Sequence, residues 1–274
     1  MQWAKVKNVL IVILLAVNLF LLGNLSVKLW QDRERAEELE TSLRTLAGGY
    51  GLALDEAFRL PENRVLPALS IDRSRADEEA VAAAILGQEM ERTEQEDGTV
   101  VFESERGAVE WRADGSVSGR FAIDADPPQD EADAARLARS LFAKWGFAAE
   151  DETLAGDGMT VTLTGTVAGL PVFNRAVSLR FEENGEAVLS GLWSFGTPYT
   201  TVRGGDVSCS AADALLEFAA GQPEADVILS MTAGYRMQTD SSRRLQFTPT
   251  WKIETNSGGY LVDCDKKTVV DQEN

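Results

Sequence analysis

One order of elements constrains this chain more than any other feature. Three times, a helix opened by a capping side chain ends at glycine and is followed by about three short strands. The spacing predicts a first helix from near Ser74, three residues before Asp77 in a capping-box-like arrangement, through the apolar run Val81 to Leu86 and up to Gly87. Strands are expected at Thr99–Glu103, Ala108–Arg112 and Val117–Ile123, with Asp114-Gly115 supplying the positive-φ pair of a tight hairpin. The second helix follows Asp126-Pro127-Pro128, carries Ala134, Leu137, Leu141 and Phe142, and stops at Gly146. Its strands fall at Thr160–Val167, Val172–Phe181 and Ala187–Trp193, the last hairpin closing at Asn184-Gly185. The third helix starts around Ser208 or Ser210, carries Ala212, Leu215, Leu216 and Ala219, and stops at Gly221. Strands at Val227–Met237, Leu245–Glu254 and Tyr260–Asp263 complete it. Helices with one apolar face and strands that alternate pack most economically as a helix on one face of an antiparallel sheet, which predicts an α+β fold.

Ahead of these units, Asn8 to Val27 is a run of 20 residues without a formal charge, and its centre, Val9 to Leu22, is apolar except for Asn18. At 1.5 Å per residue such a helix is about 30 Å long, the thickness of a bilayer's hydrocarbon core. The run is long for a cleaved secretory signal and no small-x-small cleavage pattern follows it, so a retained transmembrane anchor is expected, flanked by Trp3 and Trp30. Lys5 and Lys7 precede the span and Lys28, Arg33 and Arg35 follow it, which nearly balances the positive-inside comparison. Residues 1–31 hold three Lys and no acid, leaving 23 basic against 44 acidic residues beyond them, a net of −21. An anionic cytoplasmic leaflet repels such a domain. The expected location is therefore the cell membrane, crossed once, with the N-terminus cytoplasmic and the domain extracytoplasmic. Beyond the span, Gln31 to Leu46 reads as a helix with a short apolar stripe of Leu29, Ala36, Leu39, Leu43 and Leu46, ended by Gly48, Gly49 and Gly51.

Composition narrows the chemistry. With no His, the chain has no imidazole for nucleophilic triads or proton shuttles, and two Cys cannot form a four-thiolate metal site. The balance of 26 Lys and Arg against 44 Asp and Glu, net −18, opposes binding to phosphate backbones. Carboxylates are abundant, yet nothing brings a particular pair together for acid/base work; Glu89, Glu91, Glu94, Glu96 and Asp97 surround a turn and read as a solvated loop. Trp111, Trp145, Trp193 and Trp251 fall in predicted strands or at a helix end, where core packing outweighs ligand stacking. Gly204-Gly205 and Gly258-Gly259 lack the strand-to-helix context of a phosphate loop and read as turns. No catalytic, cofactor-binding or metal-binding residue is expected, and the protein reads as a non-enzyme. Asn18 stands out: a carboxamide inside the expected span bonds either to a partner helix or to its own helix's carbonyls. Cys209 and Cys264 belong to the same third unit and form either one disulfide or two separate buried thiols.

Several stretches together resemble a known family. Met1-x-Trp3-x-Lys5-x-Lys7 with Asn18-Leu19-Phe20-Leu21 in the apolar span is similar to the membrane anchor of YycI-type regulatory proteins. Gly169-Leu170-Pro171-Val172-Phe173-Asn174 leading to Asn184-Gly185, and Pro249-x-Trp251-x-Ile253 followed by Tyr260-Leu261-Val262-Asp263, fit the same pattern. The resemblance implies a single-pass accessory protein of a sensor histidine kinase that controls cell-wall metabolism, paired with a YycH-type companion. It implies extracytoplasmic helix-plus-antiparallel-sheet modules akin to PepSY domains, no cofactor, and no catalytic residue. Asn18, Phe20 and Leu21 are then the expected partner contacts within the span. The expected organisation is an anchor over 1–28, a juxtamembrane helix and connector over 29–72, and helix-sheet modules over 73–123, 124–200 and 201–274. Two other functions are compatible with the residues: a tethered binding module for a cell-envelope ligand, or an inhibitor of an extracytoplasmic peptidase.

Overall fold

The computed structural model describes residues 38–61, 66–147, 154–200, 206–207, 210–221, 225–239 and 244–271, together with Leu14, Val17, Asn18, Phe20, Leu21 and Leu22. Helix α1 covers residues 38–49. Strands β1 (Ala53–Leu54), β2 (Leu66–Pro67) and β3 (Leu69–Ile71) lead to α2 (Arg75–Leu86), then to β4 (Glu91–Glu94), β5 (Val100–Ser104), β6 (Gly107–Trp111) and β7 (Ser116–Ala122). Helix α3 (Glu131–Lys144) precedes β8 (Leu154–Asp157), β9 (Thr160–Val167), β10 (Leu170–Phe181), β11 (Glu186–Leu192), β12 (Pro198–Tyr199) and β13 (Asp206–Val207). Helix α4 (Ala211–Ala220) then leads to β14 (Val227–Thr239), β15 (Leu245–Thr255), β16 (Gly259–Asp263) and β17 (Thr268–Asp271).

Capping side chains set the helix starts, at Ser74 and Ser210 as the sequence predicts and at Asp130, which the sequence reading did not single out. The Ser74 hydroxyl accepts from the Asp77 amide, Asp130 accepts from the Asp133 amide, and Ser210 with Asp213 makes a reciprocal capping box. Gly87, with φ 96°, takes the backbone conformation that ends α2.

The three units are not separate antiparallel modules, which corrects the expected fold class. Their strands join one mixed sheet of 15 strands, whose path runs β12-β3-β15-β14-β10-β11-β7-β6-β5-β4. The first two units share one half: β11 pairs with β7 from Glu186 opposite Ala122 to Leu192 opposite Ser116. The third unit builds the other half with β3 and β1, short strands from the connector, and two pairings on β14, to β1 and to β10, are parallel. The reason is edge chemistry: a hairpin-built sheet of three strands leaves unpaired backbone groups on both sides, and pairing the units satisfies them.

The expected anchor is corrected as well. Among the described residues no helix is long and apolar enough to cross a membrane, which overturns the single-pass arrangement and the location drawn from it. Most of residues 8–27 lie outside the described residues; Leu14, Val17, Asn18, Phe20, Leu21 and Leu22 are helical and exposed.

Each half has its own core. Helices α2 and α3 lay Val81, Ile85, Leu86, Ala138 and Phe142 on the alternate residues of β5, β6, β7, β9, β10 and β11. Phe102, Trp111, Phe195, Phe147 and Trp193 follow one another edge to face at 5.2–6.4 Å, a geometry that adds about 0.5–1.5 kcal/mol per pair beyond burial. Leu43 and Ala47 of α1 pack with α4, Ile228, Trp251, Ile253 and Tyr260 in the other half.

The halves meet where β10 reaches β14. Only Val172 and Tyr235 form a registered backbone pair there, and the ladder of β10 with β9 shifts between Pro171 and Ala176. Asn174 fills the resulting gap with its side chain: Nδ2 donates to the Met237 carbonyl at 2.7 Å and Oδ1 accepts from the Met237 amide at 2.7 Å. Gly234 permits the approach, since a Cβ there would lie 2.5 Å from the Pro171 carbonyl oxygen and 2.7 Å from the Phe173 ring. Beside it, Arg175 donates to the Thr166 and Ser194 carbonyls and lies 4.2 Å above the Trp193 ring. Burial pushes its guanidinium down to about 10, so it stays charged at neutral pH. Val167, Val172, Tyr235, Met237, Leu245 and Phe247 close a third apolar cluster over this seam.

Replacing Asn174 by Ala strips the Met237 amide and carbonyl of their partners. The expected loss is about 2 kcal/mol of unfolding free energy, read from urea denaturation. A loss below about 0.5 kcal/mol, the size of an ordinary surface substitution, would show that the carboxamide does not hold the seam.

Candidate functional site

Because α2 and α3 cover only one side of β4–β7 and β9–β11, the opposite face of that half carries the even-numbered side chains of β9 and the residues in register with them. Cα partners share a face in a sheet, so the pairings place Glu110, Ser118, Ser190, Ser178 and Thr162 in one row and Glu103, Ala108, Arg120, Val188, Arg180 and Thr160 in the next. The face is hydroxyl-rich, and neighbours bond across it: Ser118 donates to Glu110 at 2.8 Å, and the Thr162 and Ser178 hydroxyls are 2.7 Å apart.

A groove of about 420 Å³ runs over β5, β6, β7 and β11 on this face, lined by Val101, Ala108 and Val188 together with Glu103, Glu110, Ser118, Arg120 and Ser190. No residue of a helix lines it. The arginines of this face are already engaged: Arg112 with Glu110, Arg120 of the groove with Glu186 at 3.3 Å, and Arg180 with Glu182 at 2.8 Å. Exposed pairs of this kind add little stability, but they fix where charge sits.

The hairpin ends bordering the groove are held by depressed carboxylates. The Thr99 backbone amide, then its hydroxyl, lowers Asp97 below its ordinary 3.8. Burial raises Asp114, but the Ser116 hydroxyl and amide more than offset this and leave it below 3.8. The Asn184 amide, followed by Arg120, lowers Glu186 below 4.5. On the helix side, Glu78 is buried at 1% exposure and bound by both Arg73 and Arg75, which also donate to the Gly98 carbonyl at 3.0 Å. This cluster ties α2 to the β4–β5 turn and, through Arg73 and the Trp111 carbonyl, to β6.

The residues singled out by sequence are dispersed. Asn18, Phe20 and Leu21 are helical and exposed, away from the groove lining. Cys264 is buried at the end of β16, its amide bonded to the Pro249 carbonyl at 3.0 Å, whereas Cys209 lies outside the described residues. The four tryptophans among the described residues, Trp111, Trp145, Trp193 and Trp251, are all core residues. The supposed loop around Glu89 to Asp97 contains a strand: Glu91–Glu94 is β4, every residue exposed, paired antiparallel with β5. Four polar side chains in sequence concealed it, since an edge strand needs no apolar alternation. The groove residues Val101, Ala108 and Val188 went unremarked because a small apolar residue on a strand's outer face leaves no periodic signal.

No protein-family model matches the chain. No curated protein matches it either. Among solved structures it is similar to an uncharacterized protein from Eubacterium rectale, at 12% identity over 81% of this chain and 91% of that one, with a TM-score of 0.39. It is also similar to the C-terminal domain of YpeB from Bacillus megaterium, at 10% identity over 74% of this chain and 100% of that one, with a TM-score of 0.33. Neither likeness carries an argument about function, and nothing in these comparisons supports membership of the YycI type.

The depressed hairpin carboxylates have a signed consequence. Their folded pKa values lie below the unfolded ones, so their stabilisation is present above about pH 4.5 and is lost as the pH falls through the folded values. The thermal midpoint is expected to fall on acidification below about pH 4.5, and to fall less in the triple variant D97N/D114N/E186Q. Parallel acid-side slopes for the two proteins in calorimetry from pH 7 to pH 3 would contradict this.

Proposed function

We propose that this protein is a non-enzymatic regulator that works by contact, receiving a partner macromolecule on the uncovered sheet face. The carrying observation is the one-sided coverage of β4–β7 and β9–β11, which leaves a groove of about 420 Å³ without a helix over it. Its lining of small apolar, hydroxyl and charged side chains suits recognition better than bond-breaking. The absence of His in the whole chain agrees with contact rather than proton shuttling.

A more specific reading takes the partner to be a sensor histidine kinase, with a YycH-type companion protein. Its support is the sequence resemblance; the segments that carry it fall in one sheet, with β10 and β15 on either side of β14. Val172 is in register with Tyr235, Tyr235 with Pro249, and the Cys264 amide that follows Tyr260–Asp263 bonds to Pro249. A regulator shifts a kinase only by binding one signalling state more tightly than the other.

Added to a reconstituted sensor histidine kinase of the cell-wall-sensing class, the protein is expected to change autophosphorylation 5–150-fold, equivalent to about 1–3 kcal/mol of coupling. Ser190→Tyr, at an exposed position of the groove, should return the rate to that of the kinase alone. An unchanged rate with the wild-type protein overturns the kinase reading. A full effect from the Ser190→Tyr protein overturns the assignment of the face.

A further inference from the structure

We propose that a second copy of this chain docks along helix α1, the two helices running parallel, with the Asn18 carboxamides of the two copies setting their register. This contact is separate from the uncovered sheet face, and neither depends on the other. Helix α1 is used by its own domain on one side only. Leu43 and Ala47 are buried in the core of that half, whereas Leu39, Leu46 and Tyr50 are 39%, 49% and 56% exposed. At 3.6 residues per turn, those three positions fall within about 40° of one another around the helix. They form one apolar stripe beside the buried one.

The chain ahead of α1 identifies the occupant. Counting back from Tyr50 in alternating steps of four and three gives Leu46, Leu43, Leu39, Ala36, Asp32, Leu29, Leu25, Leu22 and Asn18, all apolar but Asp32, Asn18 and the tyrosine hydroxyl. Residues 23–37 separate the described helical positions that include Asn18 and Leu22 from α1, and their length keeps this count unbroken. Such spacing sustained over four heptads is the pattern of a seam between paired helices. A parallel second copy presents the same residue at every height. Leu39 then meets Leu39 and Leu46 meets Leu46, and the Asn18 carboxamide, exposed in the single chain, gains a donor and an acceptor from its twin. One Asn in an apolar seam selects register and helix number at some cost in stability. Because Leu43 stays in its own core, the contact on α1 falls on Leu39, Leu46 and Tyr50.

The test weighs the purified full chain, without any partner protein, by sedimentation equilibrium. The wild-type chain is expected to be a dimer. L39E/L46E, which places charge at two exposed positions, should raise the dissociation constant about tenfold or more with the circular dichroism spectrum unchanged. Asn18→Leu should replace the single dimer by a mixture of states. Orientation is read by a short bismaleimide: Leu46→Cys is expected to cross-link one copy to the other, and Thr45→Cys, exposed but pointing away from the stripe, to give no more product than the wild-type chain. A monomeric wild-type chain overturns the second copy as the occupant and leaves the stripe to another protein's helix. A dimer that L39E/L46E does not weaken, or equal cross-linking from positions 45 and 46, removes α1 as the contact. A single, unchanged dimer from Asn18→Leu removes Asn18 as the residue that sets the register. All of these are measured on this chain alone, so they stand or fall apart from the kinase assay.

Discussion

The architecture depends on the meeting of β10 and β14. Two cores, each with its own helices, are joined into one sheet through a parallel contact with a single registered backbone pair. A parallel junction is less stable per residue than an antiparallel one, and here the strand also departs from regular register between Pro171 and Ala176. The chain compensates with side chains rather than backbone. The Asn174 carboxamide takes the place of a peptide unit against Met237, Arg175 ties together the Thr166 and Ser194 carbonyls, and Gly234 withdraws the one atom that would hold the strands apart.

From this junction follows the exposed face. Once the halves are joined into one sheet, α2 and α3 both lie on the same side of the first half, and nothing in the chain's described residues crosses to the other. The outer side is therefore polar by default, with hydroxyls and paired charges where water would otherwise solvate backbone and side chains alike. The interest lies in the departures from that default: small apolar residues in the groove, and two opposed glutamates at its border.

Much of the local structure was legible in the residues. All three helices of the repeated order begin at their capping side chains, and the strands at Val100–Ser104, Gly107–Trp111, Thr160–Val167 and Gly259–Asp263 fall within a residue or two of their expected bounds. These succeed because capping and alternation are encoded within a few residues of one another. The short strands β1, β3 and β12 were missed, as was β4, because two to four residues carry no usable period and their pairing partners lie far along the chain. The apolar run at residues 8–27 misled in the opposite direction: hydropathy measures an uninterrupted length of chain, and no helix among the described residues attains it. The candidate site was less legible than the fold. Glu103 and Val188 come to line one groove only through β6 and β7, an arrangement that no local pattern announces.

By itself the sequence determined the elements, the acidic surface and the absence of imidazole chemistry, because these depend on composition and on neighbours within a turn or a hairpin. Tertiary structure decided that the three units form one mixed sheet and that one broad face stays uncovered. Those outcomes depend on which strand edges find each other far along the chain, β7 with β11, β10 with β14 and β1 with β14. Edges are made of backbone groups that every residue shares, so side-chain pattern alone does not specify their partners.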